Sequence, residues 1–159
     1  MLASGQTLGA YPRVSKESAK ERWLKGVPED KKATLIPPGV FEAWADATWA
    51  TDPEAGKTSQ MLRAPNGVIQ DVNDYWAAGR PYYDPAAITV PTLLIHAEWD
   101  ADLPSYQAQA YFTKLVNVPY KRFIELGEGT HTVMMEKNRM QFFREIRGFL
   151  DEPSPQALR

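Results

Sequence analysis

The chain predicts a mixed α/β architecture in which a run of short helices precedes a parallel strand, helix, strand unit and a closing helix. Three observations carry that expectation. The run Val90-Pro-Thr-Leu-Leu-Ile-His-Ala-Glu-Trp-Asp100 places Leu93, Leu94 and Ile95 side by side, the pattern of a strand buried on both faces, and it stops at acidic residues. A second, shorter run, Tyr120-Lys-Arg-Phe-Ile-Glu-Leu126, leads into Gly127-Glu-Gly-Thr-His131. Between the two, Ala108, Tyr111, Phe112 and Leu115 recur at helical spacing after Pro104, which suits a first helical turn.

Such a crossover joins parallel strands with right-handed topology, so both carboxyl ends lie on one edge of the sheet. Open α/β sheets bind ligands and do chemistry on that edge. Asp100 and His131 stand just past the two strand ends, 131 − 100 = 31 residues apart, and are expected to be neighbours in space. The carboxylate would accept the imidazole Nδ1 proton, fix the tautomer, and stabilise the imidazolium formed when Nε2 takes a proton from a nucleophile.

The rest of the chain is read in order. Residues 1–14 form an irregular lead-in of Gly, Ser and Pro with few apolar side chains. Ser15 is a good N-cap for a helix carrying Ala19, Trp23 and Leu24 on one face and ending at Gly26. A short helix follows over 28–35, and Pro37-Pro38-Gly39 breaks it. Val40, Phe41, Trp44, Ala47 and Thr48 mark the next amphipathic helix, which stops near Asp52-Pro53. Residues 54–59 are a polar loop, and 61–67 are ambiguous. A helix with Ile69, Val72, Tyr75 and Trp76 spans 68–79, and a turn-rich linker reaches Pro85. After His131 a final helix over 137–151 shows Met140, Phe143, Ile146 and Leu150 as its apolar stripe, with Arg139, Arg144, Glu145 and Arg147 solvated.

Leu94-Ile-His-Ala-Glu-Trp-Asp100-Ala-Asp-Leu-Pro104, then Gly129-Thr-His131 and a closing helix, resembles the last third of the α/β-hydrolase fold. In that family the acid follows a late strand in a pattern like G-E-x-D-x-x-x-P and the histidine follows the last strand. The resemblance implies that Asp100, whose spacing to Pro104 fits, is the acid in preference to Asp102 or Glu98, and that His131 is the general base. Ala97 departs from the pattern, where Gly is usual. The larger departure is the nucleophile: the family carries it on a G-x-S-x-G elbow upstream of the acid, and no serine of this chain has that setting.

The helical stretch 15–79 resembles the lid such enzymes place over the catalytic edge. The resemblance therefore implies an incomplete α/β-hydrolase fold: a cap region over 1–85, the C-terminal part of the core over 86–152, and a flexible tail over 153–159. Trp44, Trp76 and Trp99 are the candidates to line a substrate pocket, against the plainer alternative that the cap tryptophans fill its small core and that Trp99 merely packs. Asp102 has another place near the amino end of the helix beginning at Pro104, where a negative charge is favoured. His96, on the strand itself, reads as structural, and Glu128 and Glu136 read as solvated. No spacing gathers the ligands of a metal, and neither metal nor cofactor is expected.

Composition narrows the remaining classes. The 159 residues suffice for one ordinary domain. With 18 basic and 20 acidic side chains mixed along the chain, there is no concentrated basic face for nucleic acid. Cysteine is absent, which removes disulfides, thiolate ligands and a thiol nucleophile and suits a reducing cytoplasm. No run approaches membrane-spanning length. The expected function is the acid-and-histidine part of a serine-type hydrolase acting on a small, fairly apolar ester, amide or activated carbon–carbon substrate, nearly inactive alone. The alternatives are a dehalogenase or epoxide hydrolase relative with an aspartate nucleophile, or a non-catalytic interaction module. In either case the open sheet edge is expected to pair with a separate N-terminal segment or with a second copy.

Overall fold

The computed structural model describes residues 9–55, 60–76, 80 and 82–152, with Trp76 described in its backbone alone. The expected lead-in over 1–8, much of the polar loop, the end of the helix at 77–79 and the tail over 153–159 lie outside these residues. In chain order the elements are β1 (Arg13–Val14), α1 (Lys16–Trp23), α2 (Lys32–Leu35, entered through a 3-10 turn at Glu29–Lys31), α3 (Val40–Trp49) and β2 (Leu62–Arg63). They continue with α4 (Gly67–Asp71, running into a π-helical turn at Val72–Trp76), β3 (Thr92–Ala97), α5 (Ser105–Lys114), β4 (Lys121–Leu126) and α6 (Arg139–Asp151). The architecture is mixed α/β with a small parallel sheet. No helix among the described residues is long and apolar enough to cross a membrane.

The chain divides into two compact units: residues up to Lys20 together with Glu42–Tyr83, and Glu21–Phe41 together with Asp84 onward. In the first unit, Ser15 and Ser18 cap α1 reciprocally, each hydroxyl accepting the other's backbone N–H at 3.1 Å. Asp52, just past α3, accepts from the Arg63 backbone N at 3.0 Å, Nε at 2.9 Å and Nη2 at 2.6 Å, and from Glu54 N at 3.0 Å. This bidentate clamp fastens the end of α3 to β2. β1 and β2 form an antiparallel pair with Arg13 opposite Arg63 and Val14 opposite Leu62. Two-residue strands carry no readable alternation, so neither was legible as a strand beforehand. The helix expected over 68–79 is α4 plus the π-turn, and Val68, Ile69, Val72 and Tyr75 on it are exposed.

The second unit holds the expected strand, helix, strand unit. β3 and β4 pair in parallel over six steps, from Thr92 opposite Lys121 to Ala97 opposite Leu126. Ala97, Leu126 and Val133 form the buried cluster, with Ile95, Ile124 and Phe142 packed against it. α6 turns inward a face that shares only Ile146, half-buried, with the stripe its sequence suggested. Phe142 packs on the core and Phe149 stacks on Tyr120 at 5.5 Å, whereas Met140, Phe143 and Leu150 of the expected stripe are exposed, Leu150 at 74%. The helix has two apolar ridges, and the sheet takes the one bearing Phe142 and Phe149. Tyr120 Oη also donates to Glu152 at 2.7 Å, which raises the phenol above its ordinary pKa and pins the end of α6 to the start of β4.

Candidate active site

Both loops of the site hang from the carboxyl ends of the parallel ladder. Beyond its last pair, Glu98 N donates to Leu126 O at 2.9 Å and Trp99 N to Gly129 O at 2.8 Å, so the two loops are bonded to each other before they diverge. Past that point Asp100 turns its side chain inward, 7% exposed, and His131 keeps its imidazole 63% exposed. His131 Nδ1 lies 2.8 Å from Asp100 Oδ2. The other oxygen, Oδ1, accepts from Asp102 N and Leu103 N, both at 2.9 Å. Two amides therefore fix the plane of the carboxylate and leave Oδ2 to the imidazole. A carboxylate only accepts, so Nδ1 carries the proton and Nε2 is the basic nitrogen.

His96 supports the acid loop from below. Its side chain is 3% exposed, and Nε2 lies 2.7 Å from Leu103 O; a carbonyl accepts, so here Nε2 is the donor. The structural reading of His96 is thereby given a partner: it holds the carbonyl of Leu103, the residue whose N–H orients Asp100. Its Nδ1 is buried without a hydrogen-bond partner, 3.8 Å from Glu125 Oε1. Ser105, the described serine of this unit, donates to Glu125 Oε2 at 2.9 Å and is not bonded to His131.

Residues 21–41 brace both loops. On the acid side Arg22 Nη2 lies 2.8 Å from Asp102 Oδ2, so Asp102 serves as an ion-pair partner of α1 more than as a helix-terminus charge. On the histidine side Trp23 Nε1 donates to Glu136 Oε1 at 2.8 Å, Lys31 Nζ lies 3.4 Å from Glu128 Oε1, and Leu35 O accepts Lys137 N at 2.9 Å. Leu35 and Trp23 are buried, and Trp23 meets Phe41 edge-on at 5.9 Å between ring centres.

Of the two acids expected to be solvated, Glu128 keeps its side chain 42% exposed and Glu136 is buried. Glu136 is fully buried, and Thr130 N at 2.9 Å, Thr130 Oγ1 and Thr132 Oγ1 at 3.1 Å join Trp23 in donating to it. Sequence position hid this, because the donors come from a loop and from an indole more than a hundred residues away. Glu128, in left-handed backbone at φ 53°, is paired with Lys137 and Lys31. Those cations, Lys137 foremost, hold its carboxyl below the usual range.

Of the tryptophans proposed to line a pocket, Trp99 is half-buried beside Asp100 in the same loop. Trp44 lies in the other unit, edge-on to Trp49 at 6.3 Å. The Trp76 side chain lies outside the described residues. A cavity of about 850 Å³ in the first unit is lined by Lys16, Asp46, Trp49, Asp52 and Met61 among others, and Trp44 is not among its described lining residues. No cluster of three or more potential metal ligands occurs among the described residues. Comparison with protein-family models, with curated proteins and with solved structures finds no match to this chain.

Proposed function

We propose that this chain is the acid-and-histidine part of a serine-type α/β-hydrolase acting on a small, fairly apolar ester, amide or activated carbon–carbon bond. One observation carries the reading: an imidazole Nδ1 bonded at 2.8 Å to a carboxylate whose second oxygen is held by two backbone amides. The imidazole is 63% exposed, and its basic nitrogen has no hydrogen-bond partner among the described residues. Asp100 would orient His131 and offset the imidazolium charge. Nε2 would take the proton of a serine hydroxyl as it attacks the substrate carbonyl, return it to the leaving group, and then activate water for the second half-reaction. The serine and the amides that stabilise the oxyanion would come from sequence outside these 159 residues, which contain no G-x-S-x-G. An aspartate nucleophile, as in dehalogenases and epoxide hydrolases, would use the same pair.

The chain alone is accordingly expected to give no turnover of p-nitrophenyl acetate above the rate of free imidazole. Joined to a segment bearing the nucleophile it should turn over, and Asp100→Asn should then lower kcat by on the order of 10³–10⁴-fold. Robust hydrolysis by the isolated chain would refute this assignment. A second reading, a non-catalytic module that pairs through its sheet, is favoured by one feature: among the described residues β3 and β4 pair only with each other, which leaves each with an outer edge.

A further inference from the structure

Glu136 lies five residues past His131, is fully buried, and has no basic side chain ion-paired with it among the described residues. Burying a carboxylate without a countercharge is costly unless its oxygens are saturated by hydrogen bonds. Here they are: Oε1 accepts from Trp23 Nε1 at 2.8 Å, from Thr132 Oγ1 at 3.1 Å and from Thr130 Oγ1, and Oε2 accepts from Thr130 N at 2.9 Å. The groups it holds belong to residues 130 and 132, the neighbours of His131 on either side. The imidazole itself is 63% exposed and, among the described residues, is tied at Nδ1 alone. A position that needed only filling would take leucine or methionine at lower cost.

We infer that Glu136 is the positioning residue of His131: it holds the N–H and hydroxyl of Thr130 before the histidine and the hydroxyl of Thr132 after it so that Nδ1 faces Asp100, and through Trp23 it fastens that loop to residues 21–41. The inference rests on reading Asp100 and His131 as a working acid–base pair. Glu136 touches no reacting atom and acts only through the loop.

The test reads the tautomer of His131 by long-range ¹H–¹⁵N correlation in the ¹⁵N-labelled full chain at about pH 8.5, where imidazoles are neutral. His96, the other histidine, donates from Nε2 and is an internal standard for the opposite tautomer. The wild type should show His131 protonated at Nδ1. In Glu136→Gln an amide N–H₂ replaces one acceptor, and the Nε2–H population of His131 should rise several-fold while His96 is unchanged. Thr132→Val, which deletes one donor and keeps the shape, should give a smaller shift in the same direction and decides the matter if Glu136→Gln does not fold. A folded variant of either kind with the wild-type His131 tautomer would overturn the role of Glu136. Asp100→Asn separates the two ideas: if it too leaves the tautomer unmoved, the acid–histidine reading fails, and if it alone shifts the tautomer, only the inference about Glu136 fails.

Discussion

Gly26 governs how residues 21–41 approach the acid loop. It ends α1 in left-handed backbone at φ +87°, and a Cβ built there would lie 2.5 Å from Trp99 O, one residue before Asp100. The obstacle is the carbonyl of a peptide whose N–H, that of Asp100, is bonded to Ala97 O at 3.0 Å, so it cannot swing aside cheaply. Gly26→Ala is expected to lose on the order of 1–3 kcal/mol in denaturant unfolding, through conformational strain and the clash together. A loss within a few tenths would mean that the brace is loosely seated. Gly129 is similarly confined, its virtual Cβ being 2.7 Å from Val133 Cγ2, but a valine methyl can give way more readily than backbone.

At the scale of elements, the Asp52–Arg63 clamp makes the first unit's stability depend on acidity. The Arg63 side chain, and then the Glu54 amide, hold the Asp52 carboxyl well below its ordinary value of 3.8. A depressed acid stabilises the fold fully above its unfolded value and loses that contribution as pH falls toward the folded one. Asp52→Asn should therefore destabilise at neutral pH, and the gap to wild type should narrow below about pH 4 in urea titrations. A gap of constant size down to about pH 2 would show that Asp52 acts by shape alone. Which elements could be read in advance follows the same physics. β3 and β4 were legible as short runs holding adjacent apolar residues and α5 by its helical spacing, and the carboxyl ends of the two strands then fixed where Asp100 and His131 would meet. β1 and β2 are too short to have a period, and α6 carries two ridges between which its own sequence cannot choose. The brace from residues 21–41 was hidden for another reason. Its contacts with Asp102, Glu128 and Glu136 are long-range polar bonds, and charge in a sequence does not announce its partner.

At the scale of the whole molecule, the parallel sheet has two strands among the described residues, and each has an outer edge that none of these residues pairs. Leu93, Leu94 and Ile95 are only half-buried, although their sequence has the uninterrupted apolar character of a strand covered on both faces. Light scattering across a concentration series is expected to show association beyond the monomer, or intact mass spectrometry a tightly held companion segment. A single monomeric mass at every concentration, with nothing bound, would count against an open edge as the assembly site.

Because Trp99 and Gly129 are joined directly above the last rung of the ladder, the span between the acidic and the basic tip is set by main chain, with little left to the reach of side chains. One inserted residue advances a tip by roughly 3.3 Å, more than the length of the bond it must make. Residues can be exchanged in these two loops, but neither loop can change length by itself and keep the contact.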